Sequence, residues 1–325
     1  LGTNLDVEKV VFSGGQRYAL PFFSTPKPQK HPVLFWAKTA HLYRVTTTHQ
    51  KQAIVLLCYA RSGGTLFSKC LVNLPDVLLL SEVNPVLNAK GSIMEQLKNW
   101  HNLDIAAGSF VEMAKAAFAV TDKNLIIRDF TFIDFTPHAL NGLQPANTFS
   151  MLIALKNQMP LKPVAFVRDA FDVWISRGCP PKFSEGYLTY VKALLALKIP
   201  IYTYEDFCRN PAHVLRLFCT ETGLPFDERA LTLSLGETKV TGDVDLKNPS
   251  RGARQMHIAP LKRKRLPAFL VKHAQQDLHL KKANVLLGYA DDILSAETSS
   301  APTKVSLELS WFFKRLFKKY PKEIF

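Results

Sequence analysis

The sequence predicts an α/β protein with a doubly wound, mainly parallel sheet flanked by helices. Three observations lead there. Short apolar runs recur along the middle of the chain, helical spacing fills the stretches between them, and the first run passes through a glycine turn straight into a helix. The runs are Ile54–Cys58, Val77–Leu80, Leu125–Ile127, Val164–Val167 and Ile201–Tyr204. Their unbroken apolar character suits strands covered on both faces and not half-exposed ones. Leu66, Phe67, Cys70, Leu71 and Leu74 fall on one stripe of the segment after the first run, as an amphipathic helix requires. Strand, helix, strand order of this kind builds a sheet wound in two directions.

Outside that region the pattern changes. Residues 1–50 carry Gly14-Gly15 and a Pro/Lys-rich stretch around Pro26–Pro32, and are expected to form an irregular N-terminal extension. Residues 51–294 make up the α/β domain. Ser295–Thr303 is a Ser/Ala/Thr/Pro linker, and residues 295–325 as a whole are assigned to that linker and a basic amphipathic helix. In the helix, Leu309, Phe312, Phe313, Leu316, Phe317 and Tyr320 lie opposite Lys314, Arg315, Lys318 and Lys319. That arrangement suits peripheral contact with a membrane surface, and equally a helix docked on protein.

Composition narrows the function. With 47% hydrophobic residues the 325-residue chain can bury a sizeable core. No apolar run approaches the roughly 18–20 residues that span a bilayer. Leu1–Asp6 lacks the basic-then-apolar signature of a signal peptide, and five cysteines in no metal-ligand spacing read as reduced thiols. A cytoplasmic setting is therefore expected. The net charge of +14 favours anionic partners, with 15 basic against 6 acidic residues from Arg251 onward. Lys262-Arg263-Lys264-Arg265 raises nucleic acid as one such partner. However, the sequence has no RNP, zinc or helix-turn-helix signature, which argues against it.

The turn after the first strand is Tyr59-Ala60-Arg61-Ser62-Gly63-Gly64-Thr65. Gly63 and Gly64 let the backbone approach a ligand, and the N–H groups that open the helix point at an anion. Arg61 can add a charge-assisted contact, and Ser62 and Thr65 add hydroxyls. A plain strand-to-helix turn capped by Ser or Thr has the same composition. An NTP-binding loop needs GxxxxGK followed by Ser or Thr, whereas here the loop is shorter and its cation precedes the glycines.

Tyr59–Leu66 resembles the 5′-phosphosulfate loop of the PAPS-dependent sulfotransferases (PAPS is 3′-phosphoadenosine 5′-phosphosulfate). Arg61 is more like the carbohydrate and tyrosyl-protein branches than the cytosolic branch. The loop departs from the family in Ala60, where Pro is usual, and in Gly64, where a hydroxyl residue is common. A second stretch, Arg168-Asp169-Ala170-Phe171-Asp172-Val173-Trp174-Ile175-Ser176, resembles the family's 3′-phosphate motif: an Arg at a strand end and a Ser eight positions on. Tyr204-Glu205-Asp206 resembles a later family element, where Glu205 or Asp206 reads as a helix cap. Pro249-Ser250-Arg251-Gly252 resembles the late loop that folds over the nucleotide. The likeness covers roughly residues 52–290 and implies a nucleotide-type, P-loop-like sulfotransferase fold.

It also implies chemistry. PAPS would be the donor and PAP the product, with no metal required, and the nucleotide would be held by Arg61, Ser62, Gly63, Gly64, Thr65, Arg168, Ser176, Arg251 and Gly252. Arg61 would neutralise the leaving phosphate, and Ser176 would modulate donor cleavage. Glu82, in Leu80-Ser81-Glu82-Val83-Asn84-Pro85, is the expected general base, because carbohydrate sulfotransferases often carry a Glu before a Pro there. Asp129 and His138 are its rivals, and Arg128 is an accessory cation or the partner of Asp129. The acceptor would bear a hydroxyl or amine, carbohydrate being one candidate, and its loops would lie in Asn88–Thr121 and Cys179–Gly186. The alternative is a sulfotransferase-like nucleotide-binding module without catalysis, which Ala60 and Gly64 allow.

Overall fold

The computed structural model describes residues 51–291 apart from 88–89, 107, 137–143, 181, 234–239, 241–256 and 265. The N-terminal extension, the C-terminal helix, His138, Arg251 and Gly252 therefore lie outside the described residues. Five strands form one sheet: β1 (Ala53–Cys58), β2 (Val77–Val83), β3 (Asn124–Phe130), β4 (Leu161–Val167) and β5 (Ile201–Thr203). Their order is β2-β3-β1-β4-β5, and every pairing is parallel.

Alternation along β1 divides the core in two. Ala53, Val55 and Leu57 join one apolar cluster, and Ile54, Leu56 and Cys58 join the other. The first face is covered by α2 (Lys90–Glu95), α3 (Phe110–Val120), α4 (Phe132–Phe135), α5 (Ser150–Leu155), α6 (Ala170–Ser176), α7 (Phe183–Ala196), α10 (Ala268–Gln276) and α11 (Leu278–Leu286). The second is covered by α1 (Gly64–Leu71), α8 (Tyr204–Arg209) and α9 (Pro211–Thr222). All five residues of the stripe expected after the first strand are buried.

β1, β3 and β4 begin earlier than the sequence expectation, at Ala53, Asn124 and Leu161. Three strands end elsewhere than expected, each for a local reason. β2 runs on through Glu82, and β3 runs on through Arg128 and Asp129, because these charged side chains find partners inside the fold. β5 stops at Thr203, one residue short of the expected run, and the Thr203 hydroxyl accepts from the Asp206 N–H and starts α8 at Tyr204. Thr203, and not Glu205 or Asp206, is therefore the cap.

The strand order places the functional edge. The chain leaves β1 toward β2 and leaves β4 toward β5, so the two adjacent strands send their loops in opposite directions. A crevice opens at such a switch point, outside the carboxyl ends of the strands. The Arg61 loop and Arg168 leave the sheet on either side of it.

Phe67 fixes α1 beneath this edge. Its ring stacks on Phe166 at 4.6 Å and meets Phe207 at 5.0 Å and Phe218 at 5.2 Å, edge to face. Phe67→Ala should cost about 3–5 kcal/mol of unfolding free energy. A urea melt checks this, and a loss under about 1 kcal/mol would mean that α1 is held by something else.

Candidate active site

The loop between β1 and α1 is a tight, internally bonded turn. The Ser62 N–H and hydroxyl both donate to the Tyr59 carbonyl, at 3.1 and 2.8 Å. The hydroxyl expected to face a ligand thus turns back to close the loop, and Ser62 is buried. Gly63 sits at φ 91°, and a Cβ there would lie 2.3 Å from Cδ2 of Tyr204, so both conformation and space demand glycine. A Cβ at Gly64 would meet the Cys58 sulfur at 2.9 Å. No side chain caps α1 at Gly63, and its first turn carries no acid, which leaves that helix end suited to an anion.

The two phosphate-type motifs meet here. The Arg61 Nε–H donates to the Ser176 hydroxyl at 3.0 Å, across the crevice between β1 and β4. Arg168 follows the last residue of β4, and its guanidinium lies over the Tyr204 ring at 4.4 Å. The same ring packs against Gly63, so Tyr204 touches both loops. Arg168 also pairs with Asp172 at 3.3 Å and approaches Glu205 at 4.0 Å. Asp172 accepts from Arg263 Nε at 2.7 Å, and a second Arg263 nitrogen reaches Asp169 at 3.1 Å. The Tyr204 hydroxyl accepts from the Leu261 N–H at 3.0 Å. Tyr204, Asp169 and Asp172 thus hold the 259–263 segment against the site.

Glu82 lies at the expected carboxyl edge but not on the strand beside β1. β3 stands between them, and Arg128 of β3 bridges the gap. One Arg128 nitrogen donates both to the Glu82 carboxylate and to the Thr65 hydroxyl, the latter at 3.3 Å. The other terminal nitrogen reaches Ser68 and Ser81, each at 3.4 Å. Arg128 is therefore the partner of Glu82 and the loop, not of Asp129. Its side chain is 5% exposed, while the Glu82 side chain keeps 25% exposure. Glu82 has φ 52°, a left-handed conformation costing roughly 1–2 kcal/mol for a non-glycine residue.

Asp129 follows Arg128 in the strand and so faces the other side of the sheet. There it accepts from the Asn84 amide at 3.0 Å, and burial, with the nearby Asp134 charge, holds its carboxyl well above the usual range. That places it on the face opposite α1 and Thr65. Among the described residues no group of three or more His, Cys, Asp or Glu could hold a metal ion, and no helix is long and apolar enough to cross a membrane. Sequence reasoning missed Tyr204, Asp172 and Arg263 as parts of the site. An aromatic and an acid in a helix carry no signal for it, and Arg263 read as one member of a basic run.

No family model matches this sequence, and no curated protein matches it. Solved structures do. The sulfotransferase domain from the curacin biosynthetic pathway is 14% identical, over 74% of this chain and 98% of that chain, with a TM-score of 0.51. The sulfotransferase domain from the Synechococcus PCC 7002 olefin synthase is 14% identical, over 84% and 97%, with a TM-score of 0.46. Mouse sulfotransferase SULT7A1, solved with PAP, is 13% identical, over 56% and 62%, with a TM-score of 0.33. The assignment rests on the first: the chain has the sulfotransferase fold.

Burial pushes Glu205 from 4.5 up to about 7, against the opposing effect of its hydrogen bond from Tyr289. Its folded pKa exceeds the unfolded one, so the stability it contributes is complete below the unfolded value and lost as pH rises through about 7. Glu205→Gln removes that dependence. The Tm of the variant minus that of the native chain should grow between about pH 5 and about pH 8. A difference that stays flat across this range would show that Glu205 does not take up a proton in the fold.

Proposed function

We propose that this chain, built on the sulfotransferase fold, transfers a sulfuryl group from PAPS to a hydroxyl or amine acceptor by in-line displacement. The observation that carries this is the 3.0 Å contact between Arg61 and Ser176, which joins a helix-opening anion loop to a strand-end arginine motif at the switch point. A donor with phosphate at both ends of one nucleoside fits that pairing. The α1 N-terminus, Arg61 and Thr65 would hold the phosphosulfate, and Arg168 and Ser176 the 3′-phosphate. Arg251 and Gly252 would close over the nucleotide. The acceptor class is open, and PAPS depletion across carbohydrate, phenol, peptide and amine acceptors would identify it.

Each residue has a defined task. Glu82 takes the proton of the acceptor as its oxygen or nitrogen bonds to sulfur. The sulfur–oxygen bond to the phosphate breaks, and its electron pair stays on that phosphate. Arg61 neutralises the charge gathering there. Its hydrogen bond to Ser176 is a route by which the 3′-phosphate end could restrain Arg61 until the nucleotide is seated. Arg128 holds the Glu82 carboxylate near Thr65, hence near the sulfur end of the donor.

Two measurements test the reading. PAP should stabilise the chain against heat by about 2.7 kcal/mol at a hundredfold excess over its dissociation constant, and AMP by much less. Equal shifts would remove the 3′-phosphate assignment. Glu82→Gln should lower PAP release from PAPS by ~10²–10⁴ with PAP affinity kept. Native rates in that variant would hand the proton to another group. PAP binding without any PAP release in the native chain would favour a binding module.

A further inference from the structure

β2 is an edge strand, and the feature that aims Glu82 is a bulge in it. Leu80 pairs with Ile127 and Val83 with Asp129, so Ser81 and Glu82 together lie opposite Arg128 alone. In a regular strand two successive side chains would point to opposite faces. Here the left-handed turn at Glu82 brings both onto one guanidinium, Ser81 at 3.4 Å and Glu82 as its ion pair.

An outer neighbour is needed to hold such an edge, and side chains provide it. The Gln96 amide receives the Ser81 N–H at 2.7 Å and donates to the Ser81 carbonyl at 2.8 Å, so one side chain takes both backbone groups of a single residue. His101 bonds the Leu79 carbonyl at 3.0 Å, the next outward-facing group on the same edge. Gln96 is buried, and it begins a π-helical turn, Gln96–Trp100, that continues directly from the helix Lys90–Glu95. π-turns often mark functional positions. Here the turn supplies the residue that stands where the peptide of a sixth strand would be.

We infer that Gln96 is a positioning residue for the reaction, clamping the Ser81–Glu82 bulge so that the Glu82 carboxylate stays on Arg128 beside the phosphate loop. The inference rests on the proposed role of Glu82 as base. Gln96 touches neither donor nor acceptor. Without the clamp the bulge can relax toward regular β pairing, and one residue of slip would turn Glu82 to the opposite face.

The test uses the full chain and Gln96→Met, which keeps side-chain volume and removes both hydrogen bonds. Hydrogen exchange of the 79–84 segment reads the clamp. PAP release from PAPS, with water as acceptor and enzyme in excess, reads the chemistry, and PAP thermal shift reads donor binding. Ser81 amide protection should fall about tenfold. PAP release should fall about a hundredfold with the half-saturating enzyme concentration unchanged, since a misplacement near 1 Å costs that much. Native protection and native rate in Gln96→Met would overturn the inference. So would a parallel loss of PAP binding, which would mark Gln96 as a plain structural residue. Glu82→Gln runs alongside. If it releases PAP at the native rate while Gln96→Met loses protection, the clamp exists but the base reading has failed. If Glu82→Gln is slow and Gln96→Met is fast, the base stands and Gln96 does not position it.

Discussion

A guanidinium buried inside a parallel sheet must be compensated where it sits, because no water can reach it and a lone charge there is very costly. From its place on β3, Arg128 meets this condition with two elements at once: Thr65 and Ser68 of α1, and Ser81 and Glu82 of β2. Each partner belongs to something the proposed chemistry uses. Thr65 opens the helix after the proposed anion loop, and Glu82 is the proposed base. The demand for compensation thus ties Thr65 and Glu82 to one guanidinium. It also explains why β2 tolerates a left-handed glutamate: losing one member of a buried ion pair generally costs more than the strain of holding it.

The second cluster obeys the same rule with opposite emphasis. Around Arg168 and Arg263 lie Asp169, Asp172 and Glu205, three carboxylates facing two guanidinium groups. Burial of the excess acid accounts for the upward displacement of Glu205 and Asp169. Arg168 is held between Tyr204 and Asp172 in a fixed position, so an incoming phosphate would compete with an existing partner and meet a preformed cation. Asp172 keeps Arg263 when it yields Arg168, which makes the exchange cheaper than creating an unpaired charge.

Much of the site was legible before any coordinates. Arg61, Gly63 and Gly64 suggest an anion loop from sequence because a cation and two glycines stand between an apolar strand and an amphipathic helix. Arg168 and Ser176 carry meaning through spacing alone, one at a strand end and one on the next helix. Ser62 shows the limit of composition: its hydroxyl was counted toward a ligand, and it closes the turn instead. Gln96 shows a deeper limit. It lies in a segment assigned to acceptor loops, and nothing in its neighbours distinguishes it from a surface glutamine.

The sequence by itself determined the strands, the helix stripe, the fold class and the two arginine motifs, because periodicity, glycine and short spacing are local properties. The tertiary structure alone decided that β3 lies between β1 and β2, that Arg128 pairs with Glu82 and not with its neighbour Asp129, and that Tyr204 covers Gly63. These are long-range adjacencies, set by strand order and by a bulge that reverses one step of alternation. A buried charge selects its partner by which face of the sheet it points to, and in β2 that face changes at a residue whose backbone no local pattern identifies.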